Sequence, residues 1–543
     1  MSRIFPMILL IVQVGFTQFP GHFNLSRDGY DYSPDSTSFS GLGSNSIVDI
    51  QKGPEDLIYF GTSGGFGYAH QSDNGQLSLY TYNRGIFPLP VGGNPGLAVL
   101  DSVIAVSGAV QEMALGEYHP AGSGIGYSNN AGQTWSLKPQ PIDPPDSPIY
   151  LDFEWGDQTL KRLAITTEIN NVSYDLAIMG DYIYSASWAG GIQRFKFRNY
   201  PPGVEGDIPN PWEPIPLPMD NEQVQYCSFI DSESFVLNPN DPGNGGSHNH
   251  KGFSVYAIGD TLWVGTAGGI NKGIVRDDGC IDWRHFTSSV DGISGNWVIG
   301  FTHQELEDDF IRLWAITWST GYTESYGLSY TDDGGETWNI VQQLDEMNLK
   351  VFSVHSNEVY LFASSESGLF LTDNGEYWEK YSTPTNNGGQ ILTDIVYSSY
   401  SFSSMEGVIV GTPDGIAMTN DSGTSWDIHR FWTSTVNGET EDDRFYAYPN
   451  PFYVNHANVM NGDGHVRLVF SLDGNSIPLL DIYDFAMERV VHLSDSYIVG
   501  NQNEGEIIWN GRNDWGDIVS NGVYFCRLSM KGKYFWTKLL VIN

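Results

Sequence analysis

The chain has 543 residues, with 26 basic and 65 acidic side chains and a formal net charge of −39. Such a surface repels nucleic acid and anionic membranes, because it offers no cationic footprint to replace phosphate counterions. Aromatic residues make up 14%, with 62 Gly and 27 Pro. That composition suits an all-β repeat protein with many tight turns and excludes disorder, since enough apolar surface exists to offset chain entropy.

The start, Met1-Ser2-Arg3, an apolar run from Ile4 to Phe16, then Thr17-Gln18, has the layout of a secretory signal peptide over residues 1–17. The run is too short to span a bilayer comfortably, and no other stretch approaches 18 consecutive apolar residues, so no transmembrane segment is expected. A soluble or surface-attached mature chain then begins near Gln18.

From there one phrase recurs: an apolar strand, a Gly/Ser/Thr break and a second apolar strand. It appears at Ile58–Phe66, at Ile104–Ser107 with Gly124–Ser128, and at Ile183–Ile192, Leu262–Ile270 and Leu313–Thr317 with Tyr326–Tyr330. Val359–Ala363 with Gly368–Leu371, and Val408–Ile416, complete the set. Four short strands per 40–50 residues is the period of a propeller blade. The expected fold is therefore all-β, a seven-bladed β-propeller over 18–431. Apolar strands ahead of each copy, such as Ser46–Ile50, Asp175–Ile178 and Phe253–Tyr256, read as innermost strands. Longer gaps near 140–170 and 200–250 read as loop insertions.

Four copies end in a second signature: Ser128–Trp135, Thr331–Trp338, Leu371–Trp378 and Thr419–Trp426. Each has an Asx residue five before Trp and a Gly three before it. The sets are Asn130, Gly132 and Trp135; Asp333, Gly335 and Trp338; Asp373, Gly375 and Trp378; and Asp421, Gly423 and Trp426. Asx satisfies turn N–H groups, Gly supplies positive φ, and Trp packs back on the blade. The signature resembles the Asp-box (BNR repeat) of sialidases, sortilin-type receptors, xyloglucanases and photosystem assembly factors. The resemblance implies a structural hairpin away from the active face.

Cys227, Cys280 and Cys526 show no CxxC, CxxCH or zinc-ligand spacing. A Cys227–Cys280 disulfide is left open, since sequence does not test its geometry.

Residues 432–444, polar and apolar-poor, read as a linker. Residues 445–543 then alternate through about seven short strands, which makes a small β-sandwich. The Tyr448-Pro-Asn-Pro-Phe452 opening, the Trp509-Asn-Gly-Arg-Asn513 centre, Asn521-Gly-Val-Tyr-Phe525 and the Lys538-Leu-Leu-Val541 ending resemble the FlgD-like immunoglobulin-type module and the sorting domains of type IX secretion cargo. The resemblance implies a bacterial protein, secreted or held at the outer-membrane surface, with the type IX-like outer-membrane export machinery as a partner.

For chemistry, Asp49, Asp175 and Asp394 occupy similar places on expected innermost strands and make the best catalytic constellation. A polysaccharide hydrolase needs two such carboxylates across a channel mouth; a wet channel is also ordinarily lined by polar groups. Trp188, Trp297, Trp318 and Tyr322 fall near loop or strand ends, where they either stack sugar rings or pack blades. His248 and His250, with Asp241, fall short of a metal site's ligand count. Arg3-Ile-Phe-Pro6 is similar to the arginine motif of sialidases, but it lies in the signal peptide, which argues against that activity. No nucleotide or cofactor motif sits in its required context, so no cofactor is expected. The reading is a propeller binding an extracellular glycan, polymer or protein. Its rivals are a secreted glycoside hydrolase or lyase and a structural subunit of a surface layer or extracellular assembly.

Overall fold

The structure, a computed structural model, describes residues 38–72, 76–114, 116–199, 212–306, 310–321, 323–357, 359–381, 384–386, 389–402, 407–430, 445–455, 459–460, 462–471, 478–493, 497–499, 504–530 and 532–543. The expected signal peptide, the linker and Tyr322 lie outside them. Among the described residues the chain is all-β, its helices being single turns.

Seven antiparallel meanders succeed one another, each starting from an inner strand. The inner strands are Ile47–Lys52, Leu97–Leu100, Ser173–Met179, Gly252–Ile258, Trp297–Glu305, Val351–Ser356 and Ser398–Ser401. Each inner strand lies against the next, and the seventh returns to the first, so the sheets form a closed ring around a channel, a propeller. The seventh sheet is built from Ser398–His429, so among the described residues no strand is shared across the seam with the first. Packing closes that seam: Ile47, Ile50 and Ile58 of the first sheet share a buried cluster with Ile409, Ile416 and Met418 of the seventh. The core as a whole lies between neighbouring sheets, where each large apolar side chain stabilises by about 1.5–3 kcal/mol.

The two long gaps differ from expectation. They supply a small sheet of their own, Tyr150–Trp155 and Gln158–Leu163 with Val236–Leu237. Cys227 and Cys280 form a disulfide within a buried cluster that includes Trp155 and Trp283.

The four Trp turns join the third and fourth strands of sheets two, five, six and seven. At Thr331–Trp338, the Thr331 hydroxyl accepts the Gly335 N–H at 2.8 Å and Asp333 accepts the Thr337 N–H at 2.8 Å. Asn130 and Asp421 accept the Thr134 and Ser425 N–H groups in the same manner. At the third copy the acceptor is Asn374, which takes the Glu376 and Tyr377 N–H groups, and Asp373 is displaced from that role. One residue fewer separates Thr372 from Trp378, and the cap keeps its distance from the Thr hydroxyl, not from the Trp.

The glycines keep the opposite register, three before Trp in every copy. The N–H groups of Gly132, Gly375 and Gly423 donate to the hydroxyls of Ser128, Thr372 and Thr419, each at 2.9 Å. Their φ angles are +83°, +79° and +81°, and that of Gly335 is +95°. Positive φ is only part of the requirement, which corrects the sequence reading. A Cβ on Gly132 would collide with the Tyr82 hydroxyl, one on Gly335 would stand 2.8 Å from the Phe286 ring, and one on Gly375 2.8 Å from the Trp314 ring. Those rings belong to the preceding sheet, and the Trp side chains go there too, which also differs from expectation. Trp135 packs on Phe66 and Tyr82, Trp338 on Trp263 and Phe286, Trp378 on Trp314, and Trp426 on Tyr381.

The described residues of 445–543 form two facing sheets, one of four strands and one of five, over a shared core that includes Phe452, Leu468, Ile482 and Trp509.

Candidate functional site

The two ends of the ring are chemically different. Because the strands alternate in direction, the starts of the inner strands and the second turns of the meanders share one face, the entrance face. The Trp turns lie on the other.

On the entrance face a local irregularity repeats. Five inner strands skip one residue in register at the same step, between Ile47/Asp49, Ser173/Asp175, Gly252/Ser254, Val298/Gly300 and Val351/Ser353. A bulge leaves its extra residue unpaired and re-aims it. The residues so placed are Val48, Tyr174, Phe253, Ile299 and Phe352, an apolar collar. Phe253 is its centre on one side. Its ring lies 6.2 Å from Tyr174, 5.5 Å from Trp188 and 5.5 Å from Trp297. Trp188 comes from the second turn of the third sheet and Trp297 opens the inner strand of the fifth; both are half-buried. Lys251 extends its ammonium over Trp188 at 4.9 Å while bonding Asp241 at 2.7 Å. The result is a pair of partly buried indoles, Trp188 and Trp297, backed by the buried Phe253 ring and edged by the buried, ion-paired Lys251.

Immediately after the bulges stand two of the three carboxyls that the sequence singled out, Asp49 and Asp175. Asp49 accepts the Ile50 N–H at 2.8 Å and the Gln51 amide at 3.2 Å. Asp175 accepts the Leu176 N–H at 2.8 Å and, from the neighbouring inner strand, the Val255 N–H at 3.0 Å. Burial pushes Asp49 up to about 6. Burial pushes Asp175 up to about 7, and the charge of Asp49 adds to it. Between about pH 4 and pH 6 the pair therefore retains protons that solvent carboxyls have lost, and Asp175 keeps its proton in part up to neutrality. Such groups can donate or accept a proton, or bond a neutral polar ligand.

Other expected site residues lie elsewhere. Asp394 precedes the seventh inner strand instead of lying on it, and its backbone N–H bonds the Val459 carbonyl of the C-terminal module. Trp318 is 1% exposed and donates its ring N–H to Val351, which leaves no face for a ligand. His250 is fully buried with both ring nitrogens engaged, by the Asn238 N–H and the Leu217 carbonyl, and burial lowers it to about 4. His248 faces Lys251 at 3.1 Å. His250 thus has no nitrogen free for a metal, and among the described residues no cluster of three His, Cys, Asp or Glu side chains could hold one.

Sequence reasoning missed Tyr174, Phe253 and Lys251. The signal was present, since a bulky residue stands one before the Asp or Ser of several inner strands, but it emerges only when those strands are set against each other.

No family model matches the chain, and no curated protein matches it. Solved structures resemble it in part. The extracellular domain of a protein named as a hybrid two-component system from B. thetaiotaomicron is 13% identical, with a TM-score of 0.43 over 91% of this chain; the chain spans about half, 53%, of that structure's length. PorZ, a surface component of the type-IX secretion system of Porphyromonas gingivalis, is 12% identical, with a TM-score of 0.27 over 92% of this chain and 81% of its own. YCF48 bound to D1 peptide is 11% identical, with a TM-score of 0.38 over 72% of this chain and 98% of its own. Among the described residues no helix is long and apolar enough to cross a membrane.

Proposed function

We propose that this chain is an exported bacterial propeller that binds an extracellular polymer, a glycan first among them, on its entrance face. The carrying observation is the pair of partly exposed rings, Trp188 and Trp297, backed by the buried Phe253 and beside Lys251 at the mouth of the channel. Flat aromatic rings offer large apolar area at little entropic cost, and they complement the C–H faces of sugar rings. In this reading residues 1–17 direct export, 18–431 bind as a seven-bladed Asp-box propeller, 432–444 link, and 445–543 serve as an FlgD-like, type IX sorting module.

A second reading has its own observation, the raised Asp49 and Asp175. They make the channel mouth a candidate acid–base pair for glycoside hydrolysis, with Asp175 as the proton donor.

One screen tests both. The purified chain is incubated with a polysaccharide panel, and both retention and released reducing ends are measured. Retention without release supports binding. Release that is abolished by Asp49→Asn and Asp175→Asn replaces it with hydrolysis in the channel. Neither outcome on any polymer sinks both.

A further inference from the structure

We infer that the C-terminal module is the clasp of the propeller ring, docked across the seam between the first and seventh sheets and held there independently of the chain linking it. The geometry begins with Asp414, in the second turn of the seventh sheet and fully buried. Arg467, on the module strand Val466–Ser471 and also fully buried, grips both its oxygens: Nε to Oδ1 at 3.0 Å and Nη2 to Oδ2 at 2.5 Å. The third nitrogen of Arg467 bonds Glu506 of the same module. Arg430, the last described residue of the propeller, joins from the other side, donating to the Asp414 carbonyl at 3.1 Å and standing 3.3 Å from its carboxylate.

The module reaches the first sheet as well. Tyr448 makes a side-chain hydrogen bond with Asn45, and the Asn45 carbonyl accepts the Gly415 N–H across the seam at 2.7 Å. The Val459 carbonyl accepts the Asp394 N–H at 2.8 Å beside the seventh inner strand. One module thus contacts the segments leading into both edges of a seam that no described strand spans.

The electrostatics fit a permanent contact. Burial alone raises Asp414, yet the guanidiniums of Arg467 and Arg430 outweigh it and hold the carboxyl below its usual range. Separating the module would leave Asp414 and Arg467 each without its bidentate partner, and removing one partner of a buried pair is strongly unfavourable. Export or anchoring through this module and integrity of the ring are then linked: a cut in the linker does not release the module.

The test uses the full chain carrying a site-specific protease sequence within residues 434–440, cleaved after purification. At micromolar concentration the two fragments are expected to co-elute in gel filtration and to unfold in one transition. Fragments that separate overturn the inference. Hydrogen exchange on the uncut chain supplies the second readout. In Arg467→Met, and more mildly in Tyr448→Phe, amides of Ile58–Gly61 and Val408–Gly411 exchange at least tenfold faster. Those of Leu262–Val264 in the fourth sheet change less than threefold. Equal acceleration in all three segments, or none in a folded Arg467→Met chain, also overturns it.

Discussion

Trp188 and Trp297 meet edge to face, their ring centroids 6.4 Å apart and their planes at 79°. They belong to the third and fifth sheets, and the Phe253 ring of the fourth fills the space between them. Three successive sheets thus contribute to one aromatic cluster at the mouth of one channel, with Phe253 as its buried centre. Apolar concave surfaces with a few fixed polar groups are where ligands bind, and the fold alone does not choose the ligand.

The indole pair and its buried neighbour separate cleanly on substitution. Trp318→Ala removes a fully enclosed indole and its hydrogen bond to Val351, and is expected to cost about 3–5 kcal/mol of stability. Trp188→Ala, at a partly buried ring, is expected to lower stability by less than about 2 kcal/mol. Chemical denaturation of both variants checks the difference; equal losses contradict this assignment of roles.

The channel carboxyls make a pH prediction of definite sign. Asp49 and Asp175 bind protons more tightly in the folded chain than in the unfolded one. Between about pH 4 and pH 7 the folded state holds the extra protons, so their contribution weakens as pH rises through that window. Asp175→Asn, which needs no proton, is expected to raise stability at pH 7.5 by about 1–3 kcal/mol and to leave it unchanged near pH 4. Thermal unfolding across this range reads the effect. A variant less stable at pH 7.5 shows a carboxylate held by a partner instead of a buried acid.

At the third Trp turn the cap belongs to Asn374. Asn374→Ala removes the acceptor of the Glu376 and Tyr377 N–H groups and is expected to cost about 1 kcal/mol. Asp373→Ala is expected to fall within about 0.5 kcal/mol of the parent. The reverse order would restore the reading in which the Asx five before Trp caps every copy.

The disulfide bridges Cys227 and Cys280 across 53 positions. Closing a loop of that length restrains the unfolded chain by about 4 kcal/mol in the chain-entropy account. Cys280→Ser is expected to lower stability by up to that amount, measured against the parent in denaturant, and reductant is expected to lower the parent but not the variant.

Much of the architecture was legible because its signals are local. A strand, a Gly break and a strand lie within ten residues, and the Trp turns within eight. The inner strands carrying Asp49 and Asp175 were found from the same phrase. What was not legible depends on contacts between distant segments. The positive φ of Gly132 and Gly375 follows from their own turns, but the rings that crowd them come from the sheet before. Trp318 and Trp188 have similar sequence settings, and only the fold buries one against Val351 and leaves the other at the channel mouth. Asp394 sits a few residues ahead of its strand, where it meets the C-terminal module. Arg467 reads as an outward polar position in an alternating strand, Val466-Arg-Leu-Val-Phe470. Its partner Asp414 lies 53 positions earlier, in another part of the chain, and nothing near either residue announces the pair. The bulges that build the collar fall between these cases, being local in cause but visible only by comparing sheets.

Whether the entrance face binds the ligand is read from affinity for a polymer retained in the panel. The parent chain is titrated against the Trp188→Ala/Trp297→Ala double variant and against Trp515→Ala, an indole 84% exposed on the C-terminal module. The double variant, with its fold intact, is expected to lose at least tenfold in affinity, and Trp515→Ala to bind as the parent does. Full affinity in the double variant, or loss in Trp515→Ala alone, would move the ligand off the propeller mouth.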